Sequence, residues 1–434
     1  MQFYSTNKQC EKHSLQDAVM LGLAPDGGLF MPERIPLIPK AFFNNIADMT
    51  IRDISYVVAN LMLSDDIDSA DIKRIVNETF EFDIPLVKIE DDVYSLELFH
   101  GPTLAFKDVG VRFLARVISH YSSTSSKKGN VKVVVATSGD SGGAVANGFL
   151  NVPGVDVYIL YPHLGLTPFQ KAQFDIPGSN IHAIEVLGTF DDCQRIAKET
   201  FMDKDLRDEV RLTSANSINI CRLLPQMFYF FHAYASLAHT LGSPADTVIA
   251  VPSGNLGNLT AGLLALRMGL PVKRLVLSNN ANDVSAQFIR SGKFSPKRAV
   301  RTVACAMDVG NPSNISRILD IFNEDHEKIA HTVHGYNYSD TDILHGMKEV
   351  YANYRYLMDP HGATAYLALK DDLKPGEKGI FLETAHPSKF SKAVEMATGY
   401  KFKNQPAEAP HRISVPEISP SADALAKIIS KENY

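Results

Sequence analysis

Cysteine is scarce and scattered in this chain. Four occur in 434 residues, at Cys10, Cys193, Cys221 and Cys305, with no paired spacing among them. That excludes a cysteine zinc motif and a disulfide framework, and it fits a reducing cytosol. None of the 14 histidines forms an HxxxH pair backed by a carboxylate, so no metal site is expected. Basic runs are missing too. None is longer than Lys127-Lys128 and the formal net charge is -6, which speaks against a nucleic-acid partner. An anionic substrate would have to be drawn in by local devices, such as helix N-termini and single arginines. No apolar run approaches membrane-spanning length. The stretch from Met1 to Lys8 has no apolar core behind a basic head, so neither a membrane partner nor a secretory signal is read. A cytoplasmic protein is expected.

With 45% hydrophobic and 21% charged residues, the composition is that of an ordinary globular protein, and 434 residues suggest two or three units. Residues 1–95 read as a small N-terminal domain, with helices near Ser14–Met20, Ile51–Leu63 and Ser69–Phe80 and few groups placed for chemistry. It reads best as scaffold or interface. From residue 96 to 403 short apolar runs alternate with helical ones. Strands are expected at Val131–Ala136, Val155–Tyr161, Ile181–Leu187, Thr247–Val251, Val272–Leu277 and Gly379–Leu382. Helices are expected at Ala144–Leu150, from Thr167, at Phe190–Met202, at Ser217–Leu237 and at Leu259–Met268. Such alternation implies parallel sheets with crossover helices, an α/β architecture. The proline-rich stretch 404–420 is expected to run extended over the surface, ahead of a last helix at Ala422–Lys431.

Lys107 stands in apolar company, between Leu104-Ala105-Phe106 and the run that follows Asp108. A lysine so placed is liable to desolvation, which frees its amine for covalent chemistry with a carbonyl. The plainer reading is that it opens an amphipathic helix and reaches out to solvent. Two turns carry glycine between a strand and a helix. In Ser253-Gly254-Asn255-Leu256-Gly257-Asn258 the backbone N–H groups and the helix start suit a phosphate. No Gly-Lys-Ser/Thr or GxGxxG pattern is present, which fits a phosphorylated cofactor better than a hydrolysed nucleotide. A plain strand-to-helix turn accounts for this loop equally well. Thr137-Ser138-Gly139-Asp140-Ser141-Gly142 offers hydroxyls and N–H groups to a carboxylate, or else Asp140 is only a helix cap. Arg222 lies in an apolar sequence after Asn216-Ser217, so a buried guanidinium there needs an anionic partner, internal or from a substrate.

Taken together, these residues resemble the threonine synthase family, pyridoxal-phosphate enzymes of fold type II. The matching segments run through most of the chain: Asp26-Gly27-Gly28-Leu29-Phe30, His100-Gly101-Pro102-Thr103 with Phe106-Lys107-Asp108, Thr137 to Gly142, Pro252 to Asn258, Met307 to Asn314, Asp359-Pro360-His361, and Thr384-Ala385-His386-Pro387. The resemblance implies two parallel-sheet α/β domains around the cofactor with an additional small N-terminal domain. It implies that Lys107 binds pyridoxal 5'-phosphate covalently and that Gly254, Asn255, Leu256, Gly257 and Asn258 hold its phosphate. Thr384 would place its hydroxyl at the pyridine nitrogen, and Asp140 would face the phenolic oxygen. Ser138 and Ser141 would bind the carboxylate of O-phosphohomoserine, and Asn216, Ser217 and Arg222 its phosphate. The implied reaction is γ-elimination and β-addition of water to give threonine and phosphate, the last step of threonine biosynthesis. Two other readings compete: another fold-type II lyase, such as a serine/threonine dehydratase or phospholyase, and a catalytically dead sensor of a small anion. Monomer and homodimer stay open.

Overall fold

The computed structural model describes residues 1–124, 129–137, 139–164, 166, 171, 173–174, 176, 179–243, 245–403 and 415–431. Among them, fourteen strands fall into three sheets. The smallest is antiparallel, with β1 (Gln2–Ser5) between β2 (His13–Ser14) and β3 (Phe30–Pro32). Helices Leu15–Leu21, Ile51–Leu63 and Ser69–Thr79 accompany it. The middle helix is fixed at its start by Thr50, whose hydroxyl accepts the Asp53 N–H while Asp53 reaches back to the Thr50 N–H.

The second sheet has six strands, β12 (Val333–Asn337), β11 (Arg274–Asn279), β10 (Thr247–Pro252), β13 (Lys378–Glu383), β5 (Val93–Glu97) and β4 (Leu86–Lys88), side by side in that order. All neighbours are parallel except the β4–β5 edge pair. The third sheet is wholly parallel, in the order β14 (Glu417–Ile418), β8 (Ile181–Val186), β7 (Val155–Pro162), β6 (Val131–Ala136) and β9 (Arg211–Ser214). Every residue of β6 and β10 is buried, because helices cover both faces of such sheets. That is why these strands read as unbroken apolar runs.

Helix Lys107–Thr124 leaves β5 of the six-stranded sheet and packs on helix Asp140–Phe149 of the other. Their approach needs Gly148, where a Cβ would lie 2.5 Å from Val111 Cγ1. The two sheets are therefore interleaved, and one hydrophobic cluster runs from Phe3 and Ile54 through Phe113 and Phe228 to Leu275.

Several expectations need correction. The helix expected over Ser217–Leu237 is two helices, Ile220–Leu223 and Gln226–Leu241. Pro225 lies between them; it lacks an N–H to continue the first helix and instead caps the second. The helix expected from Ala144 begins at Asp140. The stretch 415–431 is no mere surface tail: β14 pairs with β8 through Glu417↔Glu185 and Ile418↔Val186. Leu425 and Ile429 of helix Ala422–Lys431 are buried in the cluster that holds Ile196 and Phe201. The boundary expected at residue 95 falls inside β5, which pairs with β13. The helix expected from Thr167 and residues 404–414 lie outside the described residues.

Candidate active site

The candidate residues gather at the C-terminal ends of strands, the usual ligand side of parallel sheets. Beyond β10, a Cβ at Gly254 would sit 2.8 Å from Met307 Cα and 3.1 Å from Val309 Cγ2, so only glycine lets the loop pass that segment. Leu256 is buried with φ 62, a left-handed conformation that is uncommon for leucine. It caps helix Gly257–Arg267, whose first-turn N–H groups have no carbonyl within the helix to bond. Asn258 locks the turn: its Nδ2 donates to Pro252 O (2.8 Å), while its Oδ1 accepts the Leu259 N–H (2.9 Å) and the Ser253 hydroxyl. Asn255 reaches outward. Its Nδ2 donates to Ser217 Oγ (2.8 Å) and its Oδ1 accepts the Ser313 N–H (2.6 Å).

Thr384 follows directly on β13 and is 6% exposed. It is stitched to the lysine loop: Phe106 N–H donates to Thr384 O (2.9 Å), Ala105 and Ala385 form an antiparallel bridge, and His386 N–H donates to Leu104 O (3.0 Å). Since β13 lies between β10 and β5, this stitching puts Lys107 and Thr384 next to the glycine loop. Lys107 is partly buried and is the first residue of its helix. Leu104, three residues before it, is the second leucine held at positive φ, at 56. Asp108 is buried and holds the loop, accepting the Thr103 N–H (2.9 Å) and hydroxyl (2.6 Å). Burial raises its pKa, and those two bonds oppose the rise.

In the other sheet, Thr137 ends β6 and ties its turn together by accepting the N–H groups of Gly139 (3.0 Å) and Gly142 (2.7 Å). Gly139 takes φ 138, open only to glycine. Ser141 is partly exposed in the first turn of helix Asp140–Phe149. Ser138 and the side chain of Asp140 lie outside the described residues. Asn216 follows β9, and its amide is spent on β6: Nδ2 donates to Ala136 O (3.0 Å) and Oδ1 accepts the Ala136 N–H (3.2 Å).

Arg222 is 6% exposed, against the lysine helix: a Cβ at Gly110 would lie 3.3 Å from its Nε. One of its terminal nitrogens donates to Ala215 O, and its Nε is buried with no hydrogen-bond partner. Burial pushes its pKa down to about 10, against the attraction of Asp108. Among the described residues no carboxylate forms an ion pair with it. A buried guanidinium left with an idle donor is suited to an anion from outside the chain. This donor set, an amine, a glycine-rich helix start, a buried hydroxyl and an unsatisfied guanidinium, fits a phosphorylated carbonyl cofactor and an anionic substrate.

Two groups here escaped the sequence reading. Arg317 is wholly buried behind Ser217. Its spacing was the signal, since it stands among Ile318 and Ile321 on the buried face of a short helix. Glu383 is wholly buried beside Asp359, and its Oε2 has no partner.

Comparison with known proteins adds family evidence. A model described as pyridoxal-phosphate dependent enzyme matches residues 80–383. The threonine synthase N terminus model matches residues 2–80, and the threonine synthase C-terminal model matches residues 361–419. Threonine synthase of Haemophilus influenzae is 40% identical over 402 residues, 93% of this chain and 92% of its own length. The crystal structure of threonine synthase from Escherichia coli superposes with a TM-score of 0.90 at 37% identity, covering 100% of both chains. A pyridoxal-phosphate-bound threonine synthase from Brucella melitensis gives 0.89 at 29% identity over 99% of each.

Proposed function

The chain belongs to the threonine synthase family and makes threonine as a pyridoxal-phosphate-dependent lyase; we propose that it does so from O-phospho-L-homoserine and water, with Lys107 at the centre. The observation that carries the substrate choice is Arg222, a buried cation with an unpartnered Nε beside the lysine helix. An unphosphorylated amino acid would leave that donor idle. A γ-phosphate satisfies it.

The residues divide the work as follows. Gly254 to Asn258 hold the cofactor phosphate at the start of helix Gly257–Arg267. Lys107 would bind the cofactor carbonyl, Thr384 would offer its hydroxyl to the ring nitrogen, and Asp140 would serve the phenolic oxygen. Once bound, the cofactor supplies an electron sink for charge that develops on the substrate carbons. Ser138 and Ser141 take the substrate carboxylate. Arg222 and Ser217 take its phosphate, while Asn216 fixes the approach of their segment to β6. With substrate in place, the Lys107 amine would remove the proton from Cα and then move the Cβ proton. Departure of phosphate from Cγ is assisted by the guanidinium that already binds it, and water adds at Cβ.

The purified protein should absorb near the visible through its bound cofactor, and Lys107→Ala should abolish that band. With O-phosphohomoserine it should release phosphate and threonine together. Arg222→Leu should raise KM for this substrate on the order of 10–100-fold, the worth of a hydrogen bond to a charged group. An unchanged KM, or phosphate released without threonine, defeats the proposal.

A further inference from the structure

Arg317 is the largest fully buried side chain among the described residues, at 0% exposure. Among the described residues no carboxylate forms an ion pair with it. Its donors meet neutral oxygens instead. Nε donates to Phe30 O (3.2 Å), Nη2 to Ile218 O (2.7 Å), and Nη1 to both Ser217 O (3.2 Å) and Asn314 Oδ1 (2.8 Å). Burial alone pushes its pKa down to about 9. A buried charge with no countercharge is costly to keep.

The partners form a closed circuit. From Arg317 the bonds run to Asn314 Oδ1, from Asn314 Nδ2 to Asn255 O (2.9 Å), from Asn255 Nδ2 to Ser217 Oγ (2.8 Å), and from Ser217 O back to Arg317. Asn255 belongs to the glycine loop assigned to the cofactor phosphate, and Ser217 to the segment assigned to the substrate phosphate. Gly257 sits among them: a Cβ there would be 3.8 Å from both Asn314 Nδ2 and Ser217 Cβ. The circuit thus joins two proposed anion sites and carries one positive charge that meets no carboxylate among the described residues. Outside the circuit, Arg317 also donates to the Phe30 carbonyl, which comes from β3 in the small sheet near the N-terminus.

We infer that Arg317 is a positioning residue for the substrate phosphate, setting Ser217 against the cofactor loop through Asn314 and Asn255 and lending the site a charge that an incoming phosphate balances. This rests on the reading of Ser217 and Arg222 as the phosphate site. It predicts a specific asymmetry. Ligands with a phosphate should depend on Arg317, and ligands without one should not.

The test uses the holoenzyme, Arg317→Lys and Asn314→Ala. The second variant opens the circuit while leaving the charge in place, and it keeps the question open to refutation if the first does not fold. Two probes are titrated by the change in cofactor absorbance and by calorimetry: inorganic phosphate, and L-threonine, which lacks a phosphate. The inference expects phosphate affinity to fall on the order of tenfold or more in both variants, the range for losing a hydrogen bond to a charged group. Threonine affinity should stay within about twofold of wild type. Equal loss for both probes would reduce Arg317 to general scaffolding, and unchanged phosphate affinity would remove it from the site; either outcome overturns the inference. If the wild-type holoenzyme itself does not bind phosphate, the phosphate-site reading has failed, and the inference fails with it.

Discussion

Replacing Glu383 by Gln should stabilise this protein, and increasingly so as pH rises. Glu383 is fully buried at the end of β13, where its Oε1 accepts the Asp359 N–H (2.5 Å) and its Oε2 meets no donor. Facing it are Asp359, Glu97 and Tyr356. Asp359 caps helix Pro360–Asp372, accepting the N–H of His361 (2.7 Å) and of Gly362 (3.4 Å) and pairing with the His361 ring. That ring accepts the Ala306 N–H at Nε2 (3.1 Å), so its proton sits on Nδ1, toward Asp359. Asp359 is thereby well supplied with hydrogen-bond donors, and Glu383 Oε2 beside it is not. Burial, and then the charge of Asp359, raise the pKa of Glu383 well above its ordinary 4.5. A carboxyl with a raised folded pKa contributes its full stability below the unfolded value and loses it as pH climbs toward the folded value. The loss is about 1.4 kcal/mol per pH unit, hence about 3 kcal/mol between pH 4.5 and 7 if the proton is held throughout. Glutamine holds no titrating proton, so it is spared this pH-dependent loss. Urea unfolding followed by far-UV circular dichroism at pH 5, 6, 7 and 8 should show the variant gaining on wild type by about 1 kcal/mol or more for each unit. A difference that stays flat with pH, or that shrinks, would refute a neutral Glu383.

Two further changes probe the loops around the site. Gly254→Ala forces a methyl to within 2.8 Å of the Met307 backbone, and overpacking of this kind costs about 1–3 kcal/mol. Titration of the apoenzyme with pyridoxal phosphate should show binding weakened about 10–100-fold, with the far-UV spectrum intact; undiminished affinity would show that the loop is not the phosphate cradle. Leu104→Gly relieves a residue held at φ 56 whose side chain is 38% exposed, so little burial is lost and the left-handed conformation becomes free. The variant should be as stable as wild type or up to about 1 kcal/mol more stable by urea unfolding, yet turn over more slowly because the loop before Lys107 is loosened.

Much of the fold could be read from residue order because its signals are local. Val131–Ala136 and Phe190–Met202 have the bounds the apolar pattern suggests. Lys107 does open a helix, as the plainer reading held, and the bridge from Ala105 to Ala385 nevertheless turns that helix start toward Thr384. What the sequence concealed depends on distant pairing. The partner of β14 lies some 230 residues upstream, and two residues make no periodic signal. Pro225 was a visible break in the helix expected over Ser217–Leu237, and the apolar run around it masked the break. Arg222 called for an anionic partner, internal or external, and only packing could show that no ion pair meets it among the described residues.

The first 80 residues looked chemically empty for a physical reason: what they give to the site is backbone. Val19 lies in the last turn of helix Leu15–Leu21, where carbonyls have no further N–H in the helix to accept. Its oxygen takes the Thr213 hydroxyl (2.8 Å) and the Asn219 Nδ2 (3.0 Å). A Cβ at Gly22, at φ 69, would lie 2.9 Å from the Ser214 N, so the helix end presses directly on the strand that leads to Ser217. Phe30 O takes Arg317 from the other side. The segment from Thr213 to Arg222 is thus pinned at Thr213 and Asn219 by a carbonyl of the N-terminal helix, and at Ser217 and Ile218 by Arg317, which a carbonyl of the small sheet holds in turn. Carbonyls are common to every residue type, so no motif announces them. Side chains proposed here to recognise phosphate could be named from the sequence, but the surface that holds them at the right distance could not.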